Sequence, residues 1–264
     1  MAEYYHSVTL DKDKCRGCTN CIKRCPTEAI RVREGKARII AERCIDCGEC
    51  IRVCPYHAKI AVTDPLSSID RFQYKIALPA PALYGQFKDV TDINDILYAL
   101  KGLGFDYVYE VARGADYTTA FVKEKLKEGH IKRPLISSAC PAIVRLIQVR
   151  FPELLANIVS VESPMEIAAQ LARREFSEKR GVSEEDIGVF FITPCAAKMT
   201  SIKSPIGRER SSVDGAISML DIYGALSSKI GDTPNTGELQ KASAYGVGWA
   251  NSSGESSALS IERY

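Results

Sequence analysis

The sequence predicts a small α+β domain followed by a larger α/β domain with a mainly parallel sheet. Three observations carry this. Eight of the ten cysteines fall between positions 15 and 54. A shift of 29 residues lays the first part of that segment onto the second, Cys15 onto Cys44 and Cys25 onto Cys54. Beyond residue 72 the pattern changes to apolar β-type runs alternating with helical stretches, as in an α/β domain. The expected organisation is a repeat over 1–63, a linker over 64–72 that opens with Asp64-Pro65-Leu66-Ser67-Ser68, and an α/β domain over 73–264.

In the repeat, Cys15, Cys18, Cys21 and Cys25 precede Pro26, and Cys44, Cys47, Cys50 and Cys54 precede Pro55. This C-x2-C-x2-C-x3-C-P spacing holds cubane 4Fe–4S clusters. Three thiolates spaced this closely wrap one face of a cluster, and the fourth lies too far along to join them. In two-cluster ferredoxins the fourth cysteine of each run ligates the other cluster. Cys15, Cys18, Cys21 and Cys54 are therefore expected to hold one cluster, and Cys44, Cys47, Cys50 and Cys25 the other. Zinc sites pair C-x2-C units across a longer spacer, without a third cysteine following at once. A disulfide framework would need a secretory context, and residues 1–14 have no apolar signal core. Ser7 to Leu10 and Ala37 to Ile40 read as strands before each run, and Thr27 to Ile30 and Tyr56 to Ile60 as short segments after. Glu34-Gly35-Lys36 reads as a hairpin turn. Such a ferredoxin-like α+β domain, with clusters in place of much of its core, is expected to need iron to fold.

In the second domain Lys75 to Leu78 is a short strand stopped by Pro79 and Pro81. Thr91 is the expected N-cap of a helix to Lys101, closed by Gly102 and Gly104. Phe105 to Val111 alternates as a strand, Asp116 to Glu128 reads as a helix ending at Gly129, and Pro134 to Ser137 as a strand. Pro141 opens a helix to Phe151, and Ser163-Pro164 with Glu166 opens a longer one to Lys179, stopped by Gly181. Glu162 to Glu166 reads as helix-start chemistry. Ile187 to Thr193 is continuously apolar, as a strand buried on both faces must be. Val213 to Ile217 is a further strand and Met219 to Ile230 a helix. Residues 231–264 show weak periodicity, with Gly246-Val247-Gly248-Trp249 a candidate close backbone approach.

A formal charge of +2 gives no general case for nucleic acid or membrane surfaces. No stretch approaches the ~20 apolar residues of a membrane span. Cysteine usage without a signal sequence predicts a reducing cytoplasm. His6 and His130 read as surface positions, and the complete cysteine set leaves His57 no necessary ligand role. Arg31, Arg33, Lys36, Arg38 and Arg43 give the repeat a basic side, a solvated face able to steer an acidic redox partner.

Cys140 and Cys195 lie in Ser137-Ser138-Ala139-Cys140-Pro141 and Thr193-Pro194-Cys195-Ala196-Ala197-Lys198. Both follow β-type runs, at the sheet edge where open α/β folds bind ligands. By spacing alone, two isolated cysteines are more often buried small hydrophobes. From Gln73 onward, however, the chain resembles the large-subunit catalytic domain of the iron-only (FeFe) hydrogenases. The resemblance rests on Leu78-Pro79-Ala80-Pro81-Ala82, Gly104-Phe105-Asp106-Tyr107-Val108, Gly114-Ala115-Asp116, Phe151-Pro152-Glu153-Leu154-Leu155 and Val213-Asp214-Gly215-Ala216-Ile217. The two cysteine segments resemble that family's T-S-C-C-P and P-C-x-x-K motifs. The resemblance implies that Cys140 and Cys195 ligate a third cubane, part of a hydrogen-activating cluster, and that Lys198 binds a cyanide of its diiron site. Ala139 replaces the family's proton-shuttling cysteine, as in the sensory branch, and Phe121, Val122 and Ser201 fall where relay groups are expected. No C-x3-C motif precedes Tyr264, so the resemblance implies a C-terminally incomplete domain whose other two cubane ligands lie elsewhere.

The expected function is electron transfer: two clusters relaying single electrons to or from a hydrogenase-like domain, within a larger redox complex of partner proteins or subunits. The alternative is a hydrogenase or hydrogen sensor of the iron-only family, completed by a further C-terminal part. No catalytic residue is assigned.

Overall fold

The computed structural model describes residues 4–129, 132–232, 234–237 and 239–259. In chain order the repeat contains β1 (Val8–Leu10), α1 (Asn20–Arg24), β2 (Ile30–Arg33), β3 (Lys36–Ile39), α2 (Glu49–Arg52) and β4 (Lys59–Ala61). The elements that follow are β5 (Tyr74–Pro79), α3 (Ile93–Gly102), β6 (Tyr107–Val108), α4 (Val111–Lys127), α5 (Pro141–Arg150) and α6 (Pro164–Arg180). The chain continues through β7 (Ile187–Thr193), α7 (Ala196–Lys203), β8 (Gly215–Ser218), α8 (Met219–Lys229), α9 (Ala244–Gly248) and α10 (Gly254–Ala258). These elements form two compact units: residues 1–63, 132–158 and 195–210 in the first, and 64–131, 159–194 and 211–264 in the second.

In the first unit β1 pairs antiparallel with β4, and β2 with β3. The hairpin expected at Glu34-Gly35 is present: Arg33 pairs with Lys36, and both turn residues have positive φ, as a two-residue turn of this twist requires. The repeat extends to the backbone. Left-handed conformations recur 29 residues apart, at Gly17 and Asp46, Thr19 and Gly48, and Glu28 and His57. Three residues anchor α7 and α5 to the repeat. Ser7, fully buried, donates from Oγ to Ala196 O at 2.7 Å and accepts from Thr200 Oγ1 at 2.9 Å. The Arg145 guanidinium lies over the Tyr4 ring at 4.7 Å, and Arg150 approaches Glu28 at 3.8 Å. Pro134 to Ser137 does not extend into a strand; only Ile136 bridges Ile158, supported by Asn157 Nδ2 donating to Pro134 O at 2.7 Å.

The second unit is built on a four-stranded parallel sheet of order β6-β5-β7-β8. All seven residues of β7 are buried, as its unbroken apolar run requires of a central strand. The linker does not hang free: Asp64 N donates to Ala216 O and Asp64 Oδ2 accepts from Ala216 N, extending the edge at β8. Asp92, not Thr91, caps α3 by accepting from Asn94 N at 2.8 Å. Helix α4 begins at Val111, five residues before the expected Asp116, so β6 is cut to two residues. Gly114 reads locally as a helix breaker, yet a Cβ there would lie 2.1 Å from Pro164 O. It is the residue that lets α4 cross α6. Glu166 is no mere helix-start group: its buried carboxylate accepts from Ser211 Oγ and Ser212 N. Gly246 is the close approach expected in the C-terminal segment, with Ala112 O 2.3 Å from where its Cβ would be.

Candidate iron–sulfur centres

The helices α1 and α2 are too short to be stable alone. Each begins after a left-handed residue, Thr19 or Gly48, which turns the chain sharply enough to bring the three close-spaced cysteines onto one concave wall. Two cavities open to solvent result, and their volumes include the open mouth. The first, of about 340 Å³, is lined by Cys15, Cys18, Cys21 and Cys54. The second, of about 350 Å³, is lined by Cys25, Cys44, Cys47 and Cys50. Each cavity thus gathers three cysteines from one run and the fourth from the other. The remaining walls are mainly aliphatic, Leu10, Val32 and Ala37 around one and Val8, Ile30 and Ile39 around the other.

Backbone amides already point at the sulfurs. Ala29 N donates to Cys25 Sγ at 3.2 Å, Ala58 N to Cys54 Sγ at 3.3 Å, and Ala37 N to Cys15 Sγ at 3.4 Å. The first two bonds are again 29 residues apart. Burial pushes the thiols of Cys44 and Cys50 up to about 12 and raises those of Cys21 and Cys47. At Cys54, burial is outweighed by the N–H groups of Lys59, Ala58 and Tyr56, and the thiol is lowered. Buried thiols of this kind become thiolates when a metal takes the proton's place. All ten cysteines are free of disulfides. Lys59 is 2% exposed and its Nζ has no hydrogen-bond partner, so the first cavity holds a buried cation with no protein anion to balance it. A cluster with four thiolate ligands carries net negative charge. Donor set, amide-to-sulfur bonds and orphaned ammonium all fit one cubane per cavity.

His57 is exposed, in a left-handed turn, and lines neither cavity. His6, expected at the surface, has a side chain only 15% exposed and its Nδ1 lies 2.7 Å from Asp46 Oδ2. Burial of Asp46 draws it inward, and Asp46 Oδ1 also accepts from Val8 N at 3.0 Å. His130 lies outside the described residues. Three residues were missed in the sequence: Lys59 and Asp46, which line the cavities, and Ser7, which ties β1 to α7. Superposing the two halves would have exposed two of them, since Lys59 falls on Ile30 and Asp46 on Gly17.

Cys140 and Cys195 occupy the N-cap positions of α5 and α7 in extended conformation, the first exposed and the second half-buried. Their segments are tied together by Lys198, whose Nζ donates to Ala139 O at 2.7 Å. The lysine expected to face a diiron site is thus engaged by the backbone beside Cys140. Phe121 is exposed, Val122 is buried, and Ser201 Oγ donates to Lys198 O at 2.9 Å, so none of the three forms a carboxylate path.

Comparison with known proteins agrees with this reading. The family described as iron only hydrogenase large subunit, C-terminal domain, matches residues 73–262, and the 4Fe-4S dicluster domain matches residues 7–55. The periplasmic iron hydrogenase large subunit of Nitratidesulfovibrio vulgaris is 32% identical over 212 residues, covering 73% of this chain and 50% of that protein. The cytosolic Fe-S cluster assembly factor NAR1 of Yarrowia lipolytica is 24% identical over 51% of this chain and 26% of its own length. In structure, an FeFe hydrogenase of Chlamydomonas reinhardtii superposes with a TM-score of 0.54 at 20% identity, covering 64% of this chain and 48% of that one, a likeness of fold. The chain spans about half the length, or less, of the curated relatives it matches. No described helix is long and apolar enough to cross a membrane. A dicluster match over residues 7–55 followed by the hydrogenase match over residues 73–262, most of the chain, makes this chain a member of the iron-only hydrogenase large-subunit family.

Proposed function

We propose that this chain is an electron-transfer protein whose repeat relays single electrons to or from the hydrogenase-like domain. The gathering of each predicted cysteine quartet around its own cavity supports this reading above all. Cys15, Cys18, Cys21 and Cys54 would hold one 4Fe–4S cluster, and Cys25, Cys44, Cys47 and Cys50 the other. Bound clusters supply the one-electron carriers. The protein supplies ligands, burial and amide donors, which tune the potential. Cys140 and Cys195, tied together through Lys198, are candidate ligands for a third cluster completed by groups outside this chain. The partner is a redox protein with an acidic face. Arg31 pairs with Arg38 and Arg33 with Lys36 across the β2–β3 hairpin, so like charges stand opposed on one surface. Exposed Glu28 and Glu34 neutralise them only weakly.

Anaerobic reconstitution with iron and sulfide analysis tests the assignment. About two cubanes are expected in the repeat, and Cys54→Ser should disturb the signal that Cys15→Ser disturbs, leaving the one governed by Cys44. Grouping of Cys54 with Cys44 instead would overturn the quartets. Electron-transfer rates to an acidic acceptor should fall as salt rises. The hydrogenase or sensor reading is favoured by the Lys198 tie, which keeps Cys140 and Cys195 in one segment pair. Hydrogen evolution by the reconstituted chain would establish it in place of the relay.

A further inference from the structure

The two cavities match in backbone and differ in charge. The cysteines, three pairs of left-handed residues and the amide bonds to Cys25 and Cys54 repeat with the 29-residue shift, while the bond from Ala37 N to Cys15 Sγ belongs to the first cavity. The charged wall residues do not. The first cavity has Lys59 where the second has Ile30, both 2% exposed. The second has buried Asp46 where the first has Gly17. Glu49 also lines the second cavity, opposite Asn20 in the first, but the exposed Arg52 pairs with it through two hydrogen bonds. The partnerless charge is therefore the Lys59 ammonium at the first site, which the exposed Arg16 also lines, whereas Asp46 at the second is held by His6 Nδ1 and Val8 N.

Reducing a cluster adds one negative charge. A buried cation favours that step and a buried anion opposes it, and both act through a medium that screens them poorly. We propose that Lys59, set against Asp46, makes the two sites unequal, so that the Cys15–Cys18–Cys21–Cys54 site takes the first electron. The inference rests on the relay reading and specifies its order of filling. The field of Lys59 is not confined to one site: it stabilises the thiolates of Cys21 and Cys54 on its own cavity and of Cys50 on the other. The difference between the sites is what matters, and Asp46, which destabilises the Cys44 thiolate, widens it. Lys59 is here a positioning residue for charge, five residues from Cys54 and not a ligand.

The test is a mediator-controlled redox titration of the full reconstituted chain, followed by EPR, with iron and sulfide measured in the same samples. The wild-type protein should show two separate midpoint potentials. Lys59→Ile, which copies the residue of the other half, and Lys59→Met, which conserves length, should lower the higher potential and narrow the gap. The expected change is at least tenfold in how the first electron divides between the sites, or 59 mV for a one-electron couple. Lys59→Arg should keep the gap. An unchanged gap in Lys59→Met, or equal narrowing in Lys59→Met and Lys59→Arg, overturns the proposal and leaves the relay standing. Loss of both clusters in Lys59→Met and Lys59→Arg alike assigns Lys59 to packing and also overturns it. Fewer than two cubanes in the wild-type chain overturns the relay and the proposal together.

Discussion

Replacing Gly114 by alanine sets two effects against each other, and the structure decides between them. Removing a glycine from a helix interior gains about 1 kcal/mol in helix propensity. Against this, the new Cβ would sit 2.1 Å from Pro164 O, 3.0 Å from Pro164 C and 3.1 Å from the Ala168 Cβ. A carbon–oxygen contact needs roughly 3.3 Å, so α4 and α6 must part by about 1 Å. A gap of that size forfeits a quarter to a half of the dispersion well of each pair across it. The face that opens is fully packed: Ala115, Thr118, Ala168 and Ala172 are all at most 3% exposed. Overpacking of this kind costs ~1–3 kcal/mol, and because backbone rather than a flexible side chain blocks the way, the upper part of that range applies. The net effect is a loss of about 2 kcal/mol. Gly224 in α8 provides the control, exposed and with nothing within 4 Å of its Cβ position. Gly224→Ala should gain about 1 kcal/mol from the same propensity term. The two variants should therefore move the anaerobic guanidinium midpoint of the loaded chain in opposite directions. Hydrogen exchange should show faster opening of α4 and α6 in Gly114→Ala alone. A Gly114→Ala midpoint at or above wild type would refute the close-approach argument.

Two further predictions concern the first unit. Ser7→Ala removes a buried hydroxyl that donates to Ala196 O and accepts from Thr200 Oγ1, and should cost about 1–3 kcal/mol by leaving these groups short of a partner; hydrogen exchange should rise in α7, and unchanged protection there would count against the anchor. Alkylation of the metal-free chain, read by mass spectrometry under conditions where circular dichroism shows the repeat folded, should label Cys54, whose thiol is lowered, before Cys44 and Cys50, whose thiols are pushed up to about 12. The rate at Cys44 and Cys50 should keep climbing well above pH 9, because the reactive thiolate forms only as pH approaches the raised value; levelling off near pH 9 would show those thiols to be unperturbed.

What the sequence revealed depended on whether the cause was local. Cluster spacing is a property of eleven consecutive residues, so the eight cysteines, their trailing prolines and the Glu34-Gly35 turn were all legible. The unbroken apolar run of β7 was legible because a strand buried on both faces leaves no room for a polar residue. Gly114 has its reason at Pro164, fifty positions away, which no local rule reaches. The grouping of α5 and α7 with the repeat has the same origin: Ser7 and Ala196 are 189 residues apart, and their bond leaves no trace in either segment alone. His6 was misplaced because nothing nearby announces Asp46 as its buried partner. The charges at the cavities form a third class. Lys59 and Asp46 were visible in the sequence but acquire meaning only when each is compared with its counterpart, Ile30 or Gly17.

That comparison separates what cluster binding demands from what it permits. Ligand spacing, the left-handed turns around the cysteines and the amide donors to Cys25 and Cys54 serve each site, and these are duplicated. Wall charge is not needed for binding, and there the halves have diverged in opposite senses. The asymmetry continues in how the repeat is held. Ser7, bonded to Ala196 and Thr200, adjoins Val8 of the second cavity, and Glu28, which faces Arg150, sits between Thr27 and Ala29 of the same cavity. Tyr4, under Arg145, packs edge-on against His6, the partner of Asp46. The anchors from α5 and α7 thus converge on the cavity with the buried anion, while the basic hairpin lines both cavities, through Val32 and Ala37 at one and Ile30 and Ile39 at the other. A duplicated scaffold whose wall charges diverge while its anchors gather at one cavity is what the proposed relay needs if an electron is to have a preferred site.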